Sequence, residues 1–216
     1  MDSELMQSLK ETILMVSIPT IFSFVFGIIL GTSIYLKDKF SYIANTYANV
    51  VRSVPYLLFV VIVIPLARLI FGTAFGVIPS TLPLIFVGIG IYSRFVEQSF
   101  LDVNKGIKDL AKSMKVTKIQ LVVYFLIPEA LPSLVLGITS TIISLISYST
   151  VMGIVGGGGI GDYAIRYGYY EFNMPLIYKA IVYIIILVFL IQIIGGKIAK
   201  LLDKKGRWVW KNFLYY

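Results

Sequence analysis

Apolar residues run through this chain in blocks far longer than a soluble core helix needs, with short charged segments between them. Thr12 to Leu36 carries no formal charge. A bilayer core about 30 Å thick takes about 20 residues of helix, so this block spans it. Ser53 to Ser93 holds one charge, Arg68, and is too long for one helix; Gly72, Gly76 and Pro79 divide it into two. Arg68 then falls near a membrane mouth, where its long stem snorkels. Ala130 to Gly161 is charge-free and gives a fourth span ending at a glycine cluster. Leu176 to Leu202 gives a fifth, with Lys179 and Lys197 near its ends. The pattern predicts an all-α membrane protein of one domain, 1–216, with spans over about 12–36, 53–71, 78–96, 130–152 and 176–202. Pro65 and Pro83 are tolerated in or near the second and third spans because neighbouring helices satisfy the freed carbonyls.

One segment breaks the apolar pattern without becoming a plain loop. Over 104–118, Ile107, Leu110, Ala111 and Met114 recur at i, i+3, i+4 and i+7, which is one face of a helix. Lys105, Lys108, Asp109, Lys112 and Lys115 fill the remainder. Too short and too charged to span, it is expected to lie as an amphipathic helix on the cytoplasmic surface. Two further turns, Ile119 to Ile127, lead to Pro128 and Pro132. Periodicity leaves two readings open: a helix resting on anionic lipid, or a docking helix whose apolar ridge fits a groove on a partner.

Charge fixes the expected orientation. Lys and Arg are more abundant on the cytoplasmic side of a membrane protein. Fifteen lie on the side holding Lys37, Arg94 and the 104–118 segment; four, Lys10, Arg68, Arg166 and Lys179, lie on the other. The amino terminus is therefore expected outside and the carboxy terminus in the cytoplasm, as an odd number of spans requires. The net charge of +8 reads as orientation and lipid contact rather than nucleic-acid binding. With 58% hydrophobic and 14% charged residues, the chain lacks the polar surface of a soluble domain. Asp2, Glu4 and Glu11 precede the first block, so no cleavable signal peptide is expected. The tail from Lys197 to Lys211, with Trp208 and Trp210, reads as an interfacial anchor.

Candidate chemistry is sparse. The chain has no Cys and no His, which removes thiolate and imidazole metal sites and the commonest general base. No charged residue lies in the middle third of a span, against the intramembrane carboxylates or bases of ion-coupled carriers. Nor is there a phosphate loop: the Gly196-Lys197 pair has Ile191 where the upstream Gly belongs. Gly27 and Gly31 form a G-x-x-x-G pair suited to close helix packing. Gly137, Thr141, Ser144 and Tyr148 line one face of the fourth span, either for ordinary packing or beside a polar path. Gly153 and the run Gly156 to Gly159 form either a flexible turn or an outer hinge. Asp162, Arg166 and Glu171 follow among Tyr163, Tyr167, Tyr169 and Tyr170, a set that suits a membrane interface. Arg94 and Glu97 read as a local i, i+3 pair.

The run Gly106-Ile-Lys-Asp-Leu-Ala-Lys-Ser-Met-Lys115, followed by Ile127-Pro-Glu-Ala-Leu-Pro132, resembles the EAA loop of ABC importer permeases. In that family a Glu-Ala-Ala triplet is followed by a Gly. Asp109, Leu110 and Ala111 stand at the triplet and Lys115 at the Gly, so Leu110 and Lys115 depart from the pattern. Val51 to Tyr56, Ile64 to Ile70, Ile127 to Leu134, Tyr148-Ser149, Gly153 to Gly161 and Arg166 to Tyr169 are similar to methionine importer permeases. The likeness covers roughly Asn49 to Gln192. It implies that 104–118 is a coupling helix seated in an ATPase subunit through Gly106, Ile107, Asp109, Leu110, Ala111, Met114 and Lys115. It implies a substrate path near Thr141, Ser144, Tyr148, Ser149, Val151 and Met152, where aromatic and thioether groups suit a thioether substrate. Gly153, Gly156 and Gly157 then sit at an outer gate. The implied assembly is a homodimer with two ATPase copies, which bind ATP and Mg, and an extracytoplasmic binding protein or lipoprotein. The chain itself would hold no cofactor and catalyse nothing. Another small amino acid or a short peptide is the alternative cargo. The rivals are a secondary carrier or channel, working without a partner, and a membrane-embedded enzyme, for which no acid–base constellation is visible.

Overall fold

In the computed structural model, which describes residues 2–203, the first apolar block becomes α1, Asp2–Leu36, and every regular element among the described residues is helical. Its start precedes the expected 12–36 because Leu5 and Leu9 continue the buried stripe outward to Ile160, Tyr163 and Leu176. The expected span 53–71 is a helix that begins three residues later, at Tyr56, after a break in the chain. Val54 before Pro55 is extended, with φ −81° and ψ 129°, as the residue before a proline prefers. The chain divides into α2, Ser41–Ser53, and α3, Tyr56–Phe71, bent from each other by 115°. α2 is amphipathic: Ala44, Ala48 and Val51 are buried, while Phe40, Tyr42 and Ile43 near its start are exposed.

α4, Val77–Leu101, is the central helix, and α1 lies along it. Gly27 and Gly31 make that approach possible. A Cβ on Gly31 would stand 2.5 Å from the Ser93 carbonyl oxygen and 2.6 Å from Val96 Cβ. The G-x-x-x-G pair therefore packs inside the chain. Tyr92, Val96 and Phe100 of α4 form one core with Leu126 and Leu134, and Leu84 joins Met15, Leu145 and Met152 in a second.

The cytoplasmic segment forms α5, Lys105–Ser113. It is shorter than 104–118 because Lys115 turns left-handed at φ +52°, and Thr117 opens the next helix through a reciprocal capping box with Gln120. That helix starts as α6, Lys118–Gln120, widens into a π segment, Leu121–Leu126, and continues as α7, Ile127–Ile154. The expected span 130–152 is thus the outer part of one 37-residue helix, Lys118–Ile154. The wide turn ends where Pro128 has no N–H for the Tyr124 carbonyl. A glycine turn leads to α8, Gly159–Tyr163, a second π segment, Ala164–Tyr169, and α9, Met174–Leu202.

Among the described residues four helical stretches are long and apolar enough to cross a membrane, and the bent α2–α3 pair counts as a fifth if taken as one span. Of the expected carboxy-terminal anchor, Lys197 and Lys200 belong to α9. Lys204, Lys205, Arg207 and Lys211, with Trp208 and Trp210, lie outside the described residues.

Candidate functional site

Two surfaces gather the residues singled out from the sequence. The first is α5. The Asn104 side chain accepts the Gly106 N–H at 2.8 Å, satisfying an amide that the helix start leaves free. The apolar ridge then divides lengthwise. Ala111 is fully buried, and Ile107 packs on the core formed by Phe100, Val103, Val122 and Leu126. Leu110 and Met114 point away, 55% and 61% exposed. Asp109 is exposed and its carbonyl accepts the Ser113 hydroxyl. Lys108 holds the helix from the side: its Nζ donates to the Leu101 carbonyl at 2.8 Å and lies 5.6 Å from the Tyr35 ring centroid. Partial burial pulls this ammonium below its ordinary pKa, while Asp102 acts in the opposite sense. α5 is therefore seated on the bundle by its inner half-ridge, and its outer half-ridge is displayed.

The left-handed Lys115 stands where the resembling family has glycine. A side chain there costs about 1–2 kcal/mol that glycine avoids. Lys115→Gly should raise the denaturation midpoint, by about 1 kcal/mol in stability, in detergent-solubilised protein. A loss of stability would show that the Lys115 side chain contributes more than its backbone costs.

The second surface is a cavity of about 640 Å³ between α2, α3, α4 and α7. Its lining includes Ser144 and Tyr148 from the expected path, with Arg52, Tyr56, Arg94, Phe95 and Glu97. The Tyr56 and Tyr148 ring centroids are 4.5 Å apart. The other expected path residues lie elsewhere. Thr141, Ser149 and Met152 are buried in the bundle, and Val151 is half-buried. Their hydroxyls bond their own helix: Thr141 donates to the Gly137 carbonyl at 2.8 Å and Ser149 to Ile146 at 2.7 Å. Ser144 likewise donates to Ser140 at 3.0 Å. Hydroxyls satisfied this way place no demand on the facing surface.

Arg94 reaches further than a local pair. Nη1 donates to Glu97 at 2.7 Å, while Nη2 donates to the side-chain oxygens of Asn45 and Asn49, each at 2.5 Å. The two carboxamides sit at i, i+4 on α2, so the guanidinium ties α2 to α4. The sequence signal was there: an arginine on an apolar helix and two asparagines on one face of an amphipathic one.

At the carboxy-terminal end of α7, the glycine turn is bonded rather than loose. Gly156, Gly158 and Gly159 have φ of +81°, +80° and +78°, a region that favours glycine. Gly76 N–H donates to the Gly156 carbonyl, and Gly157 N–H to Met152. Glu11 Oε2 accepts the Gly159 N–H at 2.9 Å, and Thr12 Oγ1 the Ile160 N–H at 2.8 Å. Gly153 lies against the backbone of Gly161 and Asp162. Beyond it, Arg166 pairs with Asp162 and its guanidinium stands 5.4 Å from the Tyr167 ring centroid; Tyr169 and Tyr170 are exposed.

The sequence matches, over residues 23–207, the family model described as "binding-protein-dependent transport system inner membrane component". It is 36% identical over 203 residues to the probable D-methionine transport system permease protein of Vibrio cholerae, covering 90% of each chain. It is 35% identical over 174 residues to the methionine import system permease protein of Bacillus subtilis, covering 80% of this chain and 78% of that one. The fold superposes on a chain of an inward-facing structure of the MetNI methionine ABC transporter with a TM-score of 0.90 at 32% identity. That superposition covers 94% of this chain and 98% of the other.

Proposed function

Because the chain belongs to the family of binding-protein-dependent transport system inner membrane components, we propose that it is the permease subunit of an ATP-binding-cassette importer for methionine. It is a multi-pass inner-membrane protein. The single observation that carries the coupling mechanism is the divided ridge of α5: Ile107 and Ala111 inward, Leu110 and Met114 outward.

The reading takes α1, α3, α4, the Lys118–Ile154 helix and α9 as five crossings, with α2 lying at the cytoplasmic face. Support comes from the charge distribution and from the bend that gives α3 its own direction. The amino terminus is then outside and the carboxy terminus inside, and α5 is the cytoplasmic coupling helix. Two copies form the path and two ATPase subunits sit beneath them, binding ATP and Mg. An extracytoplasmic binding protein delivers substrate to the glycine-turn end. The permease performs no covalent chemistry.

Energy must therefore come from the partner. Moving a gate from 1:99 to 99:1 takes about 5.5 kcal/mol of differential binding. ATP binding by the ATPase supplies it and α5 transmits it. Val122 and Leu126 of the π segment share a core with Phe100, on which Ile107 rests, so displacement of α5 presses directly on the root of α7.

Proteoliposomes holding the permease, its ATPase and the binding protein should accumulate radiolabelled methionine only with ATP. Uptake by the permease alone, without nucleotide, would overturn the assignment in favour of a secondary carrier.

A further inference from the structure

The lining of the cavity between α2, α3, α4 and α7 changes character from one part to another. Arg52, Arg94 and Glu97 supply two cations and one carboxylate. Val87, Ile91 and the Tyr56–Tyr148 pair supply apolar and aromatic surface. Three features point to a ligand with both kinds of group. Arg94 is held in place by Asn45, Asn49 and Glu97, and the Glu97 carboxylate balances its charge, so the excess positive charge of the lining is that of Arg52. Those bonds occupy Nη2 and one hydrogen of Nη1, leaving Nε among the five guanidinium donors for another acceptor. The Tyr56 hydroxyl is buried and makes no hydrogen bond among the described residues, an arrangement that costs free energy unless something polar meets it. The volume, about 640 Å³, lies within the usual range for small-molecule sites.

We propose that this cavity binds an amino-acid zwitterion, its carboxylate toward Arg52 and Arg94, its ammonium toward Glu97, and its uncharged side chain against Tyr56 and Tyr148. The proposal rests on the permease reading and assigns that reading its recognition groups. A zwitterion gives each charged group of the lining an opposite charge: its carboxylate meets the arginines and its ammonium meets Glu97, whereas a free amine leaves Arg52 unmatched and a free acid leaves Glu97 to Arg94 alone. Burial of the side chain against rings favours an apolar or thioether chain over a charged one. A phospholipid headgroup, the alternative occupant, would bring a phosphate to the same arginines and leave the reporters protected whether or not methionine is added.

This chain has no cysteine, so an introduced thiol is the permease's only one and its modification is read on the separated permease band. Ser144→Cys, and separately Ile91→Cys as a second reporter, are modified by a small methanethiosulfonate reagent in the complete transporter in lipid nanodiscs. Methionine should slow modification roughly tenfold once its concentration exceeds the dissociation constant about tenfold, since protection follows 1 + [L]/Kd. The decarboxylated amine and the deaminated acid should each protect far less. Arg52→Gln, added to the reporter, should abolish the advantage of methionine over the amine, and Tyr56→Ala should weaken protection by methionine, the amine and the acid alike, since all three carry the thioether side chain. Unchanged modification at both reporters overturns the proposal. If the unsubstituted transporter still takes up methionine with ATP, the permease reading survives that result; if it does not, both fall.

Discussion

Replacing Leu110 by Glu should abolish transport-coupled ATP hydrolysis while leaving the permease inserted and folded. Leu110 is 55% exposed and Met114 61%, so neither side chain is needed to seat α5. A carboxylate at either position stays solvated in the isolated permease. Docked into a partner groove it loses water without gaining a counter-charge, which costs several kcal/mol. A loss of about 3 kcal/mol weakens the contact by more than a hundredfold. ATPase activity stimulated by the loaded binding protein should then fall to the background of the free ATPase subunit, with Met114→Glu behaving alike. Ala111→Glu gives the contrast: it is fully buried, so that change should unseat α5 and reduce the yield of folded permease. Full stimulation by the Leu110→Glu protein would remove α5 from the coupling path.

A substitution at Gly161 should be the most damaging to the fold. α7 and α8 meet backbone to backbone. A Cβ on Gly161 would collide with the Thr150 carbonyl oxygen and stand 2.6 Å from Thr150 Cα; one on Gly153 would collide with the Asp162 amide and lie 2.5 Å from the Gly161 carbonyl carbon. These obstacles are main chain and cannot swing aside, so Gly161→Ala must separate the helices. Forced overpacking costs about 1–3 kcal/mol, and more where nothing yields. The displaced turn also loses the Glu11 and Thr12 bonds to Gly159 and Ile160. Little detergent-stable protein should be recovered. Gly196→Ala is the matched control: nothing lies within 4 Å of its Cβ position, and alanine favours a helix. Equal thermal stability of the two variants would contradict the close approach.

The membrane-crossing helices were legible because a charge-free run of that length has few other solutions. The details that failed to show share a physical cause: contacts made by distant segments. The i, i+3, i+4, i+7 stripe of α5 identified its apolar face correctly, but periodicity does not say which half the chain covers itself. Ile107 packs on the core that holds Phe100, Val122 and Leu126 and Ala111 is buried, so what remains is Leu110 and Met114. The face of α7 divides similarly, since α4 covers Gly137 with Phe95 and Tyr92 while Ser144 and Tyr148 are left to the cavity. The glycine run reads as flexible by composition, yet the amides of Gly156, Gly157, Gly159 and Ile160 are all hydrogen-bonded, the last two by Glu11 and Thr12 at the far end of the sequence. The second span was expected to begin at Ser53, beside the Pro55 break; what periodicity did not announce is α2, whose buried face of Ala44, Ala48 and Val51 is too small to stand out as an apolar block. Arg94 was paired correctly with Glu97, but its reach to Asn45 and Asn49 depends on α2 existing as a helix.

The lever in this account is the exposed edge of α5, and labelling of Met114→Cys tests it most directly. In liposomes of anionic lipid the lone thiol should react freely with a water-soluble reagent, and addition of the ATPase subunit should protect it. Protection by the lipid alone, unaltered by the ATPase, would mean that α5 floats on the bilayer and drives nothing.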